Sequence, residues 1–314
     1  MTVLTLPVEP GRATAQPAVP WRRMAWVTWR QHRAMLTGVT ALLAAVSVFL
    51  LIEGLKIRSD YTAMINCRTA CQPADNEFGS TDWTLANTLG IFMLLAPALL
   101  GAFTGPALLG REIEAGTFRY AWTQGIGRVR WTVAKLILLG VALAILTGAF
   151  SQLFAWFFDP FLGNSVGFTD LTATVFTTRG IAFAAWTVLS FAIGAFFGML
   201  IRRLIPAMVA TLIAYLGVYL LAWLVLREDY PVAITTSGPV ASGAVVATSV
   251  NSPTALTPNA PWILKTWVTG STHWTRYIPV SRFWPMQFIE AGWLLVLAVA
   301  LGAATVWLVR RRAA

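Results

Sequence analysis

Six stretches of this chain run for about twenty residues or more without a charged side chain: Ala34–Ile52, Trp83–Gly110, Leu136–Phe158, Gly180–Ile201, Leu204–Leu226 and Ala291–Val309. A hydrocarbon core of ~30 Å takes about 20 helical residues to cross. No water reaches the backbone there, so each segment has to be a helix that satisfies its own N–H and C=O groups. The expected class is an all-α membrane protein whose six transmembrane helices occupy residues 34–312. One further uncharged stretch, Tyr230–Leu264, is interrupted by Pro231, Pro239, Pro253, Pro258 and Pro261. It reads as part of an extracytoplasmic loop, 227–290. A charged fraction of 11%, against ~25% in soluble domains, agrees with the membrane class.

The remaining charges are sorted by side. With six spans and a cytosolic N-terminus, the inner segments hold 15 Lys and Arg against three acids (Glu9, Glu112 and Glu114), a net of +12. The outer segments hold the other eight bases and ten acids, a net of −2. Positive charge collects on cytosolic loops, so both termini are expected inside and the protein in the cell membrane. A seventh span would place Arg310–Arg312 outside. These loops account for the net charge of +10, and no folded basic domain is left to grip nucleic acid.

Residues 1–20 lack an apolar core and carry Pro7, Pro10, Pro17 and Pro20, so they are expected to be a disordered cytosolic tail rather than a signal peptide. Between residues 21 and 33, Trp21, Trp26 and Trp29 alternate with Arg22, Arg23, Arg30 and Arg33. That pattern suits an amphipathic helix lying in the inner interface; the alternative is a basic flank to the first span. Cys67 and Cys71 share the first outer loop, where their spacing permits a disulfide and equally two free thiols.

Catalytic machinery is not expected. The chain has no GxxxxGK[ST] loop to cradle the phosphates of ATP. His32 and His273 fall on opposite sides of the membrane, too few on either for a metal site. All thirteen acids lie outside the six spans. Ion-coupled carriers hold ionisable groups near the midplane despite a cost of ~2.5–3.5 kcal/mol each, so the driving force here is expected from a partner.

The loop between the second and third spans, 111–130, reads Arg111-Glu112-Ile113-Glu114-Ala115-Gly116-Thr117-Phe118-Arg119-Tyr120-Ala121-Trp122, then restarts as Arg128-Val129-Arg130-Trp131 and leads to Lys135. It resembles the ABC-2 type permeases, the membrane subunits of one class of ATP-binding-cassette exporter. There an acidic-x-acidic-x-Gly-Thr element precedes a coupling helix, and a basic, aromatic restart opens the third span. Where many relatives carry a Ser-Pro turn, this chain has Gln124-Gly125-Ile126-Gly127. Trp26–Arg33 and Tyr277–Glu290, with the closing Arg310–Arg312, are similar to the opening and final segments of a bacterial branch of these permeases.

The resemblance implies an ABC-2 type exporter fold with both termini inside. It also implies a second permease subunit, the same chain or a related one, and two ATPase subunits that carry ATP and magnesium. Glu112, Glu114, Gly116, Thr117, Phe118, Arg119 and Trp122 would then couple the permease to the ATPase. Phe118 and Trp122, four residues apart, suit an apolar edge seated in a groove of that partner. A non-transporting membrane anchor or sensor module of a signalling or immunity complex is the alternative.

Two patterns inside the spans add detail. Gly101/Gly105 and Ser190/Gly194/Gly198 are small-residue stripes that allow helices to approach closely. Thr211, Tyr215, Tyr219 and Trp223 recur every four residues along one face of the fifth span. Polar aromatic groups fit poorly against lipid tails, so they are expected to face a neighbouring helix or a cavity. In the family that the chain resembles, this span lines the substrate pathway.

Overall fold

The computed structural model describes residues 20–67, 77–114, 127–162, 173–227, 234–239, 262–270 and 272–312. It contains six helices long and apolar enough to cross a membrane. They are α1 (Trp21–Asn66), α2 (Trp83–Glu114, preceded by a π-helical turn at Glu77–Asp82), α3 (Arg128–Leu162), α5 (Ile181–Ile201), α6 (Leu204–Leu221, extended by a π-helical turn at Ala222–Leu226) and α7 (Phe283–Arg312). A short helix, α4 (Ala173–Thr178), precedes α5.

The centre of the bundle is α5. Its sequence is apolar on every side, which marks a helix with no solvent face, and α2, α3, α6 and α7 all pack around it. The outer helices bury one side only. Ile205, Val209 and Ile213 of α6 and Val296 and Val299 of α7 stay exposed, as lipid-facing residues should. On α1 the buried set Met24, Thr28, His32, Leu36, Val39, Leu43, Leu50, Gly54 and Ile57 recurs every three, four or seven residues, and that stripe packs on α3. At the end of α3, Phe154, Phe157, Phe158 and Phe161 form a ring cluster that Phe78 joins at 5.0 Å.

Two helices are longer than their uncharged runs. Residues 21–33 do not form a separate helix; they are the first turns of α1, which measures about 70 Å at 1.5 Å per residue. No proline or glycine falls between Trp21 and Thr37, so nothing stops the helix at the Arg33–Ala34 junction. Likewise α7 begins at Phe283 rather than Ala291. Pro285 is tolerated because it lies in the first turn, where a backbone N–H has no partner within the helix.

Segment 227–290 is more than a loop. It holds a three-stranded antiparallel sheet in the order β1 (Ile234–Pro239), β3 (Thr272–Ile278), β2 (Trp262–Thr269). The β2–β3 hairpin turns over two residues, and Gly270 at φ +63° takes the left-handed conformation such a turn demands. Pro239 closes an edge strand, where its missing N–H costs no ladder bond. Only Pro279 and a 3₁₀ turn (Val280–Arg282) separate β3 from α7.

Candidate coupling and transport site

Of the residues expected to couple to an ATPase, Gly116, Thr117, Phe118, Arg119 and Trp122 lie outside the described residues, as does the side chain of Glu112. Glu114 ends α2, and its Oε2 accepts the backbone N–H of Leu204 at 3.3 Å. Leu204 is the first residue of α6, so this carboxylate satisfies an N–H left without a partner at a helix start, at the positive end of the helix dipole. The connection it braces is only Arg202 and Arg203. Arg202 takes φ +60°, and its N–H closes α5 on Gly198 O at 3.2 Å. Across the loop, Trp131 and Lys135 are buried on the first turns of α3, with the ammonium 4.6 Å from the indole centroid.

From Glu114, α2 runs back along α5 in the tightest seam of the bundle. The two small-residue stripes prove to be each other's partners. A Cβ built on Gly105 would stand 2.7 Å from Gly194 Cα and 2.8 Å from Ala195 N, and one on Gly194 would stand 2.7 Å from Pro106 Cδ. A Cβ on Gly101 would overlap Ser190.

Part of the α6 stripe packs inside the chain. Thr211 and Tyr215 are buried, while Tyr219 and Trp223 keep part of their surface open. Trp186 of α5 meets both Tyr215 and Tyr219 edge-on at 5.4 Å. Tyr215 therefore faces a neighbouring helix of the same chain, one of the two surroundings expected for this stripe. The four-residue spacing continues one step further, to Arg227, whose guanidinium lies 5.4 Å from the Trp223 ring centroid and 4.9 Å from that of Phe176.

Arg227 is the residue that joins this aromatic face to the last helix. Its Nε and Nη2 donate to the two carboxylate oxygens of Glu290 at 2.9 and 2.6 Å, and Nη2 also donates to Thr177 Oγ1 at 3.0 Å. Trp186 Nε1 donates to the same carboxylate at 2.8 Å. Both charged groups are buried. One turn earlier on α7, Gln287 accepts the N–H of Ala182 at 2.8 Å and donates to the Phe176 carbonyl at 2.7 Å. A buried ion pair needs its other donors and acceptors met as well, and Thr177 of α4 and Trp186 of α5 supply part of that here. Sequence reasoning placed Glu290 and Arg227 at span ends without pairing them; the continued four-residue spacing was the available signal.

Away from this node, Asp60, Glu77 and Asp82 converge, their oxygens within 4.8 Å of one another. Lys56 Nζ stands among them at 4.0, 3.2 and 3.9 Å, so an ammonium already supplies the cation. Cys67, at the end of α1, is disulfide-bonded; Cys71, the chain's other cysteine, lies outside the described residues.

Compared with known families, residues 40–227 match the one described as ABC-2 membrane transporter related. No curated protein and no solved structure matches the chain.

Proposed function

We propose, from the premise that the chain belongs to the ABC-2 membrane transporter related family, that it is the permease subunit of an ATP-driven exporter. Two permease subunits would enclose the pathway, and two separately encoded ATPases would dock on the end that carries Glu114. The sorting of charge, +12 against −2, supports an orientation with that end and both termini in the cytosol. The observation that carries the coupling role is the Glu114–Leu204 hydrogen bond. Through it, a displacement of the acidic element moves the start of α6 together with the end of α2, and α6 bears the aromatic face.

The test is co-expression with a candidate ABC ATPase, purification of the complex, and assay of substrate-stimulated ATP hydrolysis. Glu112→Ala combined with Glu114→Ala is expected to lower transport and stimulation roughly five- to tenfold, since a helix-start carboxylate contributes ~1 kcal/mol. Membrane insertion should be unchanged. Normal coupling in this variant removes Glu112 and Glu114 from the role. A permease that never co-purifies with an ATPase favours the anchor or sensor reading instead.

Within the aromatic face, Tyr219 and Trp223 are the members left open to a cargo. Tyr219→Ala is expected to change the substrate profile, or to weaken apparent affinity by ~10- to 100-fold for a cargo that stacks on the ring. Tyr215→Ala should instead lower stability, because it empties a packed position beside Trp186. Substrate panels and thermal retention, measured on both variants, separate the two roles. An unchanged profile for Tyr219→Ala rejects the pathway assignment.

A further inference from the structure

The sheet carries a pocket that the transport reading does not use. Its volume is 580 Å³, and Thr235, Trp267, Thr269, Trp274 and Arg276 line it. Pockets for small ligands span ~300–1,000 Å³. The strand register explains the grouping: Thr235 and Lys265 both pair with Arg276, and Trp267 pairs with Trp274. Cross-strand partners share a face of a sheet. The two indoles lie parallel, 6.2 Å apart at 6°, and form an apolar wall beside the hydroxyls and the guanidinium.

The electrostatics of this face are one-sided. Between Tyr230 and Ile289 the sequence contains no Asp or Glu, while Lys265, Arg276 and Arg282 fall within it. Among the described residues, neither Lys265 nor Arg276 has an ion-pair partner. Two cations with no carboxylate partner among the described residues, beside a stacked indole pair, suit an anion with an apolar body.

Depth identifies the occupant. Arg276 lies two residues before the buried Ile278, about 7 Å along the strand at ~3.4 Å per residue. After Ile278 come Pro279, the 3₁₀ turn and α7, whose first turns expose Trp284 and Phe288. A Trp in that position marks the membrane–water interface. This short connection to a membrane-spanning helix keeps the sheet close to the membrane surface, within reach of the headgroups. A forked guanidinium and hydroxyls arriving from different strands match the several oxygens of a phosphate, and Lys265, the cross-strand partner of Arg276, adds a second positive charge on the same face. Indole faces suit the glycerol and first acyl carbons below it.

We propose that this pocket holds the phosphate-bearing headgroup of an anionic phospholipid from the leaflet on its own side of the membrane. The proposal needs neither transport nor a given orientation. Native mass spectrometry of the full chain, purified in detergent and titrated with phosphatidylglycerol or phosphatidylcholine, tests it. Each basic residue near a membrane surface contributes about a fivefold factor. The protein is expected to retain one phosphatidylglycerol that Lys265→Glu weakens about fivefold and Lys265→Glu/Arg276→Glu about thirtyfold. Lys265 is exposed on an edge strand, so its variant tests the site without endangering the fold, and Arg276→Lys, which keeps the charge and loses the fork, should bind less tightly than the parent and more tightly than Lys265→Glu/Arg276→Glu. Equal retention of phosphatidylcholine, or phosphatidylglycerol binding unmoved by Lys265→Glu, overturns the proposal. Displacement of the lipid by equimolar glycerol 1-phosphate or inorganic phosphate assigns the pocket to a soluble phosphate ester, and overturns it as well.

Discussion

Replacing Glu290 with Ala is expected to cost about 3–5 kcal/mol, the usual consequence of leaving one member of a buried ion pair without its partner. The Arg227 guanidinium is 1% exposed, and the substitution removes two of its hydrogen bonds along with the countercharge. Trp186 loses its acceptor at the same time. Equilibrium unfolding of the full chain in mixed micelles gives the measurement. Arg227→Met combined with Glu290→Leu should recover most of the loss, because two apolar groups of similar volume leave no charge stranded. A double variant as unstable as Glu290→Ala would show that the node matters for its shape rather than its charge. A single variant indistinguishable from the parent would mean that water reaches Arg227 and that the pair is not buried in the membrane.

The second large effect concerns the α2–α5 seam. Gly105→Leu is expected to prevent the two helices from docking, and Gly105→Ala or Gly194→Ala to cost ~1–3 kcal/mol, the usual range for overpacking a tight site. The added carbon at Gly105 meets backbone atoms of Gly194 and Ala195. Backbone cannot step aside as a flexible side chain does, so the helices themselves must part. Gly217→Ala on α6 is the control, since nothing lies within 4 Å of its added Cβ; helix propensity alone predicts a gain of ~1 kcal/mol there. Thermal retention of the monodisperse protein ranks the four variants. If Gly105→Ala and Gly217→Ala behave alike, the seam is looser than its geometry.

The spans were legible because lipid imposes a single solution on an uncharged run: a helix long enough to cross. Boundaries were less so, because charge-free length marks where lipid begins, not where helix ends. The last uncharged run starts only after Glu290, which leaves Phe283–Glu290 to the loop, yet Pro285, Gln287 and Glu290 are all compatible with the first turns of α7. The hairpin Trp262–Ile278 was missed because prolines upstream set the tone for the whole segment. Yet no proline falls between Trp262 and Ile278, and β-branched and aromatic residues flank Gly270-Ser271 as they do in hairpins. The small-residue stripes announced close approach without naming their partners, since a stripe of glycines carries no address. Arg227 and Glu290 were hardest, being 63 residues apart; their pairing is a property of three helices meeting, and no local pattern contains it.

That separation has a consequence for biosynthesis. At ~5–20 residues per second, roughly 3–13 s pass between the making of Arg227 and the making of Glu290. During that interval α6 carries a cation at its end with no carboxylate from α7 to meet it. The family match also ends at Arg227, and the countercharge of that residue belongs to the part of the chain made afterwards. The node is therefore completed only by the last helix: a nascent chain arrested before residue 290 would hold Arg227 before its carboxylate exists, the state a membrane quality-control protease or a chaperone would meet.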